Sequence, residues 1–495
     1  MIHAVVFDTE IKLWWEYVKE RKKGYLFRIV DEQEQQYLAE TTHYAFKNLE
    51  PDRTYRFRVE LLNEKQVKIL SVGEIYVRTL PQKKKIDVTK PPYNAVGDGE
   101  SLNTQAIQQA LDDCGKDECV YLPDGIYLTG ALDMHDNSEL YLSDGAVLQG
   151  TENAEDYLPK IWSRFEGSER FCYRSLITMG RLDHTAGCTC ENVVIRGGTI
   201  CGGGQNLRKN IIERERQSET DDSAFTRTVE PGRVRGRLIN ASNTKNLIIA
   251  NTNAGDSPSW NLHFIYCENV ITCGSKIFSH GISNGDGWDP DSSENCVVFD
   301  CDFDTGDDCV AIKSGKNPEG NIINRATKRV RVFDIRRKDG HGIAIGSEMS
   351  GGIVDVKIWD CDVENSFGGI NIKYSKKRGG YIKDVGVYNV RTSQIKICSY
   401  GGNDDGEGAE IPCVEDFEFE NITVKGVETY TAENRSEKTS AITIRGFEEA
   451  GHQVKNVRLK NITLLYRPMM PWQIFDIKNS ENVTVDNIVC RGEID

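Results

Sequence analysis

Two acidic stretches contain the residues whose types and spacing could support acid–base chemistry. One stretch reads NGDGWDPDSS (284–293) and the other reads DTGDDCVAIKSG (304–315). Asp286 and Asp308 are separated by roughly 20 residues, the length of a short structural repeat, and Asp307 directly precedes Asp308. Carboxylates that lie close together repel one another, which raises the pKa of at least one of them. Such a pair suits a reaction in which a general acid works beside a general base.

A histidine and a lysine follow at regular intervals. His341, in KDGHGIAIGSE, comes roughly 30 residues after Asp308. Lys373, in GGINIKYSKKRGG, comes roughly 30 residues after His341, so each interval has the length of a longer repeat. If each interval is one coil of a repeating structure, all these side chains face one groove, where the cations would bind an anionic substrate. Turn-capping aspartates are common in β-coils, but capping does not require this ordered series. Clustered carboxylates also bind calcium, and the spacing leaves that alternative open.

The elements that position these residues are short β-rich runs, each opened by Asn or Asp before an apolar residue. Asn246, Asn269 and Asn295 recur at intervals of roughly 20–30 residues, and a second pair of anchors near the C-terminus shows the same interval. A period of this length with several strands per repeat is typical of a solenoid. Stacked coils bury a continuous core at about 4.8 Å per coil. The sequence therefore predicts an all-β chain, with a right-handed parallel β-helix over residues 84–495.

One helix is predicted at the start of this domain, over NTQAIQQALDDCG (103–115). Ala106, Ile107, Ala110 and Leu111 share one helical face. Gly115 is predicted to serve as the C-cap, and the helix would close the N-terminal end of the solenoid.

Residues 1–83 alternate polar and apolar side chains, as half-buried strands do. The segment NLEPDRTYRFRV resembles the fibronectin type III signature, in which a leucine (Leu49) and a proline (Pro51) precede a strand-opening tyrosine (Tyr55). This resemblance implies a small β-sandwich. A polar, proline-bounded linker, PQKKKIDVTKPP (81–92), connects it to the solenoid.

Composition and charge argue against several classes of protein. The chain has 495 residues, 38% hydrophobic content and a net charge of −15, so we expect a folded protein that has no nucleic-acid partner. No run of 18 apolar residues occurs, which predicts no membrane association. The N-terminal residues lack a secretory signal pattern, which predicts a cytoplasmic protein whose fifteen cysteines are reduced.

Most of residues 93–495 resembles glycoside hydrolase family 28, the polygalacturonases. The motifs that carry this resemblance occur in the family's order: YNAVGDGESLNTQAIQQAL, YLPDGIYLTGAL, NVVIRGGTICGGGQ, SPSWNLHFIYCENV, NGDGWDPDSSENC, DTGDDCVAIKSG and GHGIAIGSEMSGGIVDV. The resemblance implies hydrolysis of α-linked galacturonic acid chains with inversion, without a metal or other cofactor. Inversion requires a gap of about 6.5–9.5 Å between the two working carboxylates, and coil spacing alone does not deliver that distance.

The resemblance also implies a role for each residue of the series. Asp307 would be the general acid that protonates the leaving oxygen, and Asp286 and Asp308 would activate the attacking water. His341 would support the acid, and Lys373 would bind a substrate carboxylate.

The substrate-binding residues include one departure from the family pattern. Asn284 and Tyr400 are predicted to contact substrate, but the family's Arg-Ile-Lys motif reads Asn371-Ile372-Lys373 here. An arginine grips a carboxylate with two hydrogen bonds, and an asparagine does not replace it. Arg378 is the candidate to compensate. The change admits a rhamnogalacturonan fragment as substrate, with a galacturonidase or a rhamnosidase activity, in place of plain polygalacturonate.

The glycine after Asn284 and the N-terminal domain resemble exo-acting bacterial members of the family. We therefore expect cleavage of short acidic pectic oligosaccharides from the non-reducing end. The N-terminal domain is also a candidate for self-association into a homo-oligomer. Two rival functions are a β-elimination lyase and a non-catalytic carbohydrate-binding β-helix. The ordered aspartates argue against the lyase, and a binding protein would not need the adjacent Asp-Asp pair.

Overall fold

The computed structural model describes residues 1–218, 230–279, 281–364, 366–399, 410–425, 440–466 and 474–492. The chain separates into two compact units, Met1–Lys85 and Ile86–Asp495. The sequence placed the boundary between residues 83 and 84.

The first unit consists of two antiparallel sheets with a shared core. A three-stranded sheet has the order β1-β2-β5 and a four-stranded sheet has the order β4-β3-β6-β7. Its strands are β1 (Ile2–Val6), β2 (Glu10–Trp15), β3 (Leu26–Val30), β4 (Gln36–Ala39), β5 (His43–Lys47), β6 (Thr54–Leu62) and β7 (Lys68–Arg78).

Side chains of both sheets meet in this core, among them the fully buried Trp15, Phe27 and Phe57. Tyr55 is also buried, and its hydroxyl accepts a hydrogen bond from the backbone N–H of Glu50 at 2.9 Å. The predicted small β-sandwich is therefore present, and its membership of the fibronectin type III class stays a prediction.

The second unit contains a 30-stranded parallel assembly. Its N-terminal strands are β8 (Lys84–Asp87), β9 (Asp98–Leu102), β10 (Glu118–Leu122), β11 (Gly125–Thr129), β12 (Leu132–Met134), β13 (Glu139–Leu142), β14 (Ala146–Gly150), β17 (Ile177–Met179), β18 (Cys190–Arg196), β19 (Thr199–Cys201), β20 (Ile239–Ser242), β21 (Thr244–Ala250) and β22 (Asn253–Gly255). An antiparallel hairpin, β15 (Ile161–Phe165) with β16 (Ser168–Cys172), is inserted between β14 and β17.

The middle and C-terminal strands continue the same stack. They are β23 (Leu262–Ile265), β24 (Glu268–Cys273), β25 (Lys276–Phe278), β26 (Trp288–Asp291), β27 (Glu294–Ile312), β28 (Thr327–Ile345), β29 (Ile353–Trp359), β30 (Asp362–Val363), β31 (Phe367–Tyr374), β32 (Tyr381–Tyr388), β33 (Arg391–Thr392), β34 (Ile395–Ser399), β35 (Cys413–Val424), β36 (Ile442–Arg445), β37 (Val454–Tyr466), β38 (Phe475–Lys478) and β39 (Ser480–Gly492).

Within the 30-stranded assembly, strands pair in parallel with strands one coil later, which confirms the predicted parallel β-helix. One of its faces consists of β12, β17, β20, β23, β26, the C-terminal parts of β27 and β28, β31, β34, β36 and β38. We call this face the site sheet, because the carboxylates predicted from the sequence lie at its edge.

The asparagines that open the repeats form a ladder. Asn192, Asn246, Asn269 and Asn295 each donate a side-chain hydrogen bond to the asparagine of the preceding coil, at 2.9–3.0 Å. All four have a φ between 54° and 59°, which asparagine tolerates better than most residues do. The periodic asparagines are therefore turn residues that also connect one coil to the next.

Within the described parts of the chain, the helices are α1 (Thr104–Asp113), α2 (Gly204–Ser218) and α3 (Glu319–Ile323), with short 3-10 turns at Ala154–Tyr157 and Pro231–Val234. Helix α1 confirms the predicted helix and buries Ile107, Ala110 and Leu111. The predicted cap is wrong: the C-cap is Cys114 in an extended conformation, rather than Gly115.

All fifteen cysteines are free thiols. Among the described residues, no helix is both long enough and apolar enough to cross a membrane.

Candidate active site

Asp286, Asp308 and His341 form one row across three successive coils at an edge of the site sheet. Asp308 pairs in register with His341, and Trp288 pairs with Val310, which puts Asp286 opposite Asp308. The backbone N–H of Gly287 donates to the carbonyl of Asp308 at 2.9 Å, as this register requires. The predicted stacking of the two acidic stretches is therefore correct.

His341 contacts both members of the Asp-Asp pair. Its Nδ1 lies 3.0 Å from Asp307 Oδ1 and 3.5 Å from Asp308 Oδ1. Burial alone would lower the pKa of His341, but the two carboxylates outweigh burial and raise the pKa to about 10. The imidazole is therefore a cation at neutral pH. Asp307 is the more accessible carboxylate of the pair, with 29% of its side chain exposed against 9% for Asp308.

Lys373 reaches the same carboxylate from β31. Its Nζ lies 2.7 Å from Asp308 Oδ2. Burial alone would raise the pKa of Asp308, but the charges of Lys373 and then His341 lower it well below its ordinary value. Asp308 is therefore held as an anion between two cations.

Lys313, which sequence reasoning missed, pairs with two carboxylates of the first acidic stretch. Its Nζ lies 2.9 Å from Asp286 Oδ2 and 3.2 Å from Asp289 Oδ1, and it also lies 4.0 Å from the centre of the Trp260 ring. All four side chains are nearly fully buried. Burial raises the pKa of Asp286 to about 7, and Asp307 and Asp308 add to that rise while Lys313 opposes it. Burial also raises the pKa of Asp289 well above its ordinary value.

The third aspartate of the first acidic stretch, Asp291, fastens the β15–β16 hairpin to the site sheet. Arg164, on β15, donates to Asp291 Oδ1 at 2.8 Å, and His263 Nε2 lies 3.4 Å from Asp291 Oδ2. Burial alone would raise the pKa of Asp291, but Arg164 and then His263 lower it. Phe165, the next hairpin residue, stacks on Trp260 with 4.9 Å between ring centres. Asp291 is therefore a structural residue beside the site.

The predicted substrate-binding residues differ in where the structure places them. Asn284 lies two residues before Asp286 with a φ of 57°, and its Oδ1 accepts from Arg235 Nη2 at 2.8 Å. Asn371 faces outward on β31, because Ile370 and Ile372, its neighbours on the strand, are both in the core.

The structure does not support Arg378 as the compensating residue. Only 2% of Arg378 is exposed, and its Nη1 donates to the carbonyl of Ser347 at 2.9 Å. A buried guanidinium of this kind supports the backbone of a turn rather than offering itself to a substrate carboxylate. Tyr400 lies outside the described residues.

Asp307, Asp308 and His341 each offer a ligand atom, and these atoms lie within 4.8 Å of one another. The group has the dimensions of a metal site, but Lys373 and the proton on His341 compete for its donor atoms. The arrangement matches the needs of acid–base catalysis better: a buried carboxylate with a raised pKa, an anionic carboxylate held by two cations, and an accessible carboxylate next to an imidazolium.

Comparison with protein families decides the class. A family model described as "Glycosyl hydrolases family 28" matches residues 159–466. The chain belongs to glycosyl hydrolases family 28. It is therefore a glycosidase.

Two curated relatives of this family 28 chain are similar over most of its length. A protein described as a probable polygalacturonase, from Vitis vinifera, is 30% identical over 361 residues, which cover 68% of each chain. An exo-poly-alpha-D-galacturonosidase from Dickeya chrysanthemi is 25% identical over 443 residues, which cover 82% of this chain and 71% of the relative.

Two solved structures share the fold of this family 28 member. A family 28 exopolygalacturonase from Yersinia enterocolitica aligns with a TM-score of 0.77 and 21% identity, over 99% of this chain and 96% of the other. A hyperthermoactive exopolygalacturonase from Thermotoga maritima aligns with a TM-score of 0.65 and 24% identity, over 82% of this chain and 91% of the other.

Sequence reasoning missed Lys313, Arg164 and Arg235, for different reasons. Lys313 forms a bridge in register with Asp291, one coil earlier, so its position could have been read from the coil period. Arg164 is far from Asp291 in sequence, on an inserted hairpin, and Arg235 follows a long excursion that contains α2. Neither arginine has a periodic signal that connects it with the acidic stretches.

Proposed function

We propose that this family 28 glycosidase hydrolyses α-linked galacturonic acid residues of short pectic oligosaccharides, acting from the non-reducing end and with inversion. The two curated relatives described above are named for galacturonan cleavage, one of them for exo-cleavage. The proposal rests on one group of side chains at an edge of the site sheet, which we call the carboxylate row. Its members are Asp286, Asp307, Asp308, the imidazolium of His341 and the ammonium of Lys373.

Asp307 is the proposed general acid. It is more exposed than Asp308, so it can reach the glycosidic oxygen of a sugar bound over the site sheet. His341 Nδ1, 3.0 Å from Asp307, is a cation at neutral pH and can return a proton after each cycle.

Asp308 and Asp286 are the proposed groups that bind and activate the attacking water. Asp308 is anionic because Lys373 and His341 stabilise its charge. Asp286 is in the same row, one coil earlier, and loses its proton near pH 7. A water between them would meet one permanent acceptor and one carboxylate that can take up a proton.

Cations beside the row suit an anionic sugar. The Lys373 ammonium has three N–H donors, and one of them points toward Asp308. The other two can donate to a uronate carboxylate. Asn371 lies on the same outward face of β31, two residues earlier.

The β15–β16 hairpin supports exo-cleavage, because it forms a wall across the site sheet beside the first acidic stretch. Phe165, beside the turn of the hairpin, stacks on Trp260. At the turn itself, the carbonyl of Gly167 accepts from the backbone N–H of Lys316 at 3.0 Å, and just after it the Glu169 backbone N–H donates to the Glu319 carboxylate. A chain bound over the carboxylates would have to end at this wall.

One observation favours a second candidate, a rhamnogalacturonan-type galacturonidase or rhamnosidase. Asn371 stands where the family has an arginine, it faces outward, and the buried Arg378 does not replace that arginine. A substrate with a neutral sugar at this position would not need the missing guanidinium. The cytoplasmic location and self-association predicted from the sequence stay predictions.

Product analysis tests the proposal. The protein would be incubated with trigalacturonate and, separately, with rhamnogalacturonan oligosaccharides, and the anomer formed first would be identified by NMR. Early release of β-galacturonate from the first substrate is expected, and Asp307→Asn should lower the rate by about 10²–10⁴-fold. Release from the second substrate alone would favour the rhamnogalacturonan candidate. A fully active Asp307→Asn protein would contradict the assigned acid.

A further inference from the structure

A cavity of about 970 Å³ lies on the site sheet, apart from the carboxylate row. Its floor comes from the coils of β12, β17 and β20, and one wall comes from Ile161 and Trp162 of the hairpin. Its volume is in the range of ligand sites in proteins. None of its lining residues belongs to the carboxylate row.

The hairpin separates this cavity from the proposed catalytic pocket. Asn240, on the cavity floor, pairs in register with His263, and His263 pairs with Asp289. His263 is completely buried, with the Trp260 ring against it and Phe165 stacked on Trp260. The coil that carries His263 is therefore covered, and the two open regions lie on opposite sides of it.

Polar atoms of the cavity floor lack hydrogen-bond partners. Thr178 and Asn240 are neighbours in register on the site sheet, and they are only 5% and 2% exposed. In the part of the chain that the structure describes, Thr178 Oγ1 and Asn240 Oδ1 have no partner. Unpaired buried polar atoms are uncommon and costly, and ligand hydroxyl groups would supply the missing partners.

An aromatic ring stands at the wall of the cavity. Trp162 is 44% exposed. Its Nε1 donates to Glu169 Oε2 at 3.1 Å, and its ring packs edge-on against Phe171, with 5.2 Å between ring centres. These contacts hold the ring in place while one part of its surface lines the cavity. A fixed, partly exposed ring offers a rigid apolar surface for the C–H face of a sugar.

Two arginines give the cavity charge. Arg181 is exposed at the cavity, and its charge helps to lower the pKa of the nearby Asp183; among the residues that the structure describes, no carboxylate oxygen forms an ion pair with Arg181 within 4.0 Å. Arg174 Nη2 lies 2.6 Å from Asp133 Oδ2, which fixes its position and neutralises that aspartate. Asp136, also in the lining, accepts from the backbone N–H of Glu191 at 2.8 Å. Arg181 is thus the group available to bind a ligand carboxylate in bidentate fashion.

We propose that this cavity is a second binding site for an acidic oligosaccharide, separate from the catalytic pocket. Only the choice of a uronate as ligand rests on the proposed function. Trp162 stacks on a sugar ring, Arg181 binds its carboxylate, and Thr178 and Asn240 receive its hydroxyl groups. Where one long chain engages both sites, binding at the second site raises the effective concentration of the rest of that chain at the carboxylate row.

The test uses the full chain with Asp307→Asn, so that the oligosaccharide is not consumed. Titration calorimetry with trigalacturonate is expected to show two sites per chain. Adding Trp162→Ala should remove one site and leave the other, while Trp162→Phe should keep both. Adding Arg181→Ala, an exposed change that should not affect folding, should weaken one site by about tenfold.

Controls make the result decisive. Arg458→Ala removes another exposed arginine, paired with Glu418 far along the solenoid, and should leave both sites intact. A neutral galactotriose should bind the second site at least about tenfold more weakly than trigalacturonate. A single site in the parent protein, two sites that survive both Trp162→Ala and Arg181→Ala, or equal binding of the neutral sugar would overturn the proposal. Two-site binding without galacturonate release by the unmodified protein would instead contradict the proposed function alone.

Discussion

Lys373 Nζ lies 2.7 Å from Asp308 Oδ2, although the two residues do not face each other in register. Asp308 pairs with His341, and His341 pairs with Phe367, which precedes Lys373 on β31. The lysine side chain therefore reaches back along the site sheet to its carboxylate. Lys373, which is predicted to bind substrate, thus also stabilises the negative charge of Asp308, a proposed water-activating group.

Lys373→Met tests this double role. We expect the kcat on trigalacturonate to fall and the KM to rise, because Asp308 loses one of its two cations and the substrate carboxylate loses a donor. The combined loss in kcat/KM should be about a hundredfold or more, as for removal of a charged hydrogen-bond partner. Lys376→Met, an exposed lysine on the following turn that pairs with Glu449, is the matched control. A rise in KM with unchanged kcat would mean that Lys373 only binds substrate.

The pH dependence of kcat/KM follows from the charges of the row. Asp286 acts as a base only after it loses its proton, and its pKa is raised to about 7. We therefore expect kcat/KM on trigalacturonate to rise from pH 4 to a plateau above about pH 7. At alkaline pH, activity should fall as His341, whose pKa is raised to about 10, loses the proton that it would return to Asp307. Asp308 remains anionic across this range, because its pKa is lowered.

Rate measurements between pH 4 and pH 10 decide the assignment. In Asp286→Asn, the rising limb near pH 7 should disappear along with most of the activity. A profile that instead falls as the pH passes 7 would identify Asp286 as the proton donor and would remove that role from Asp307.

Lys313 is expected to be important for stability as well as activity. It is the cation next to the buried Asp286 and Asp289. Lys313→Met should lower the free energy of unfolding by roughly 3–5 kcal/mol at pH 8, because two buried carboxyl groups lose their cation. The double variant Lys313→Met/Asp289→Asn should recover part of that loss. Denaturant unfolding of the single and double variants measures both effects, and strictly additive losses would contradict the pairing.

Asn371→Arg tests the departure from the family motif. The new guanidinium would lie on the outward face of β31 beside Lys373, so we expect kcat/KM on trigalacturonate to rise by about tenfold through a bidentate carboxylate contact. Asn371→Gln, which adds length without charge, should give no such gain. Loss of activity on trigalacturonate with Asn371→Arg would show that the asparagine itself is required by the substrate.

The coil period predicted the larger part of this architecture from the sequence. It predicted the parallel β-helix, the asparagine turns, and a row that contains Asp286, Asp308 and His341. These features depend on counting coils, because a parallel stack puts residues one coil apart next to each other. The polar, proline-bounded linker at 81–92 contains the boundary between the two compact units, Met1–Lys85 and Ile86–Asp495.

The coil period did not predict contacts at places where the strand register shifts or where an insertion brings in a residue from elsewhere in the chain. A register shift between Asp304 and Asp308, and another between His341 and Ile343, change which residue faces which. Lys373 consequently meets Asp308 through the length of its side chain rather than by register. Arg164 arrives on a hairpin, whose docking depends on contacts such as Phe165 with Trp260 that no local pattern encodes. Arg378, the candidate to compensate for the missing arginine, is buried in a turn.

The turn that contains α3 has a consequence for how such an enzyme can change over evolutionary time. The step from Asp308 to His341 uses a longer piece of chain than the step from Asp286 to Asp308, yet each step advances the row by one coil. The additional residues, including α3, are accommodated between β27 and β28. Insertions at such turns can therefore reshape the rim that meets the substrate while the reacting groups keep their neighbours. Diversification of specificity and preservation of chemistry are separable in this solenoid, and variation in turn length is the means by which natural selection or a protein engineer can exploit that separation.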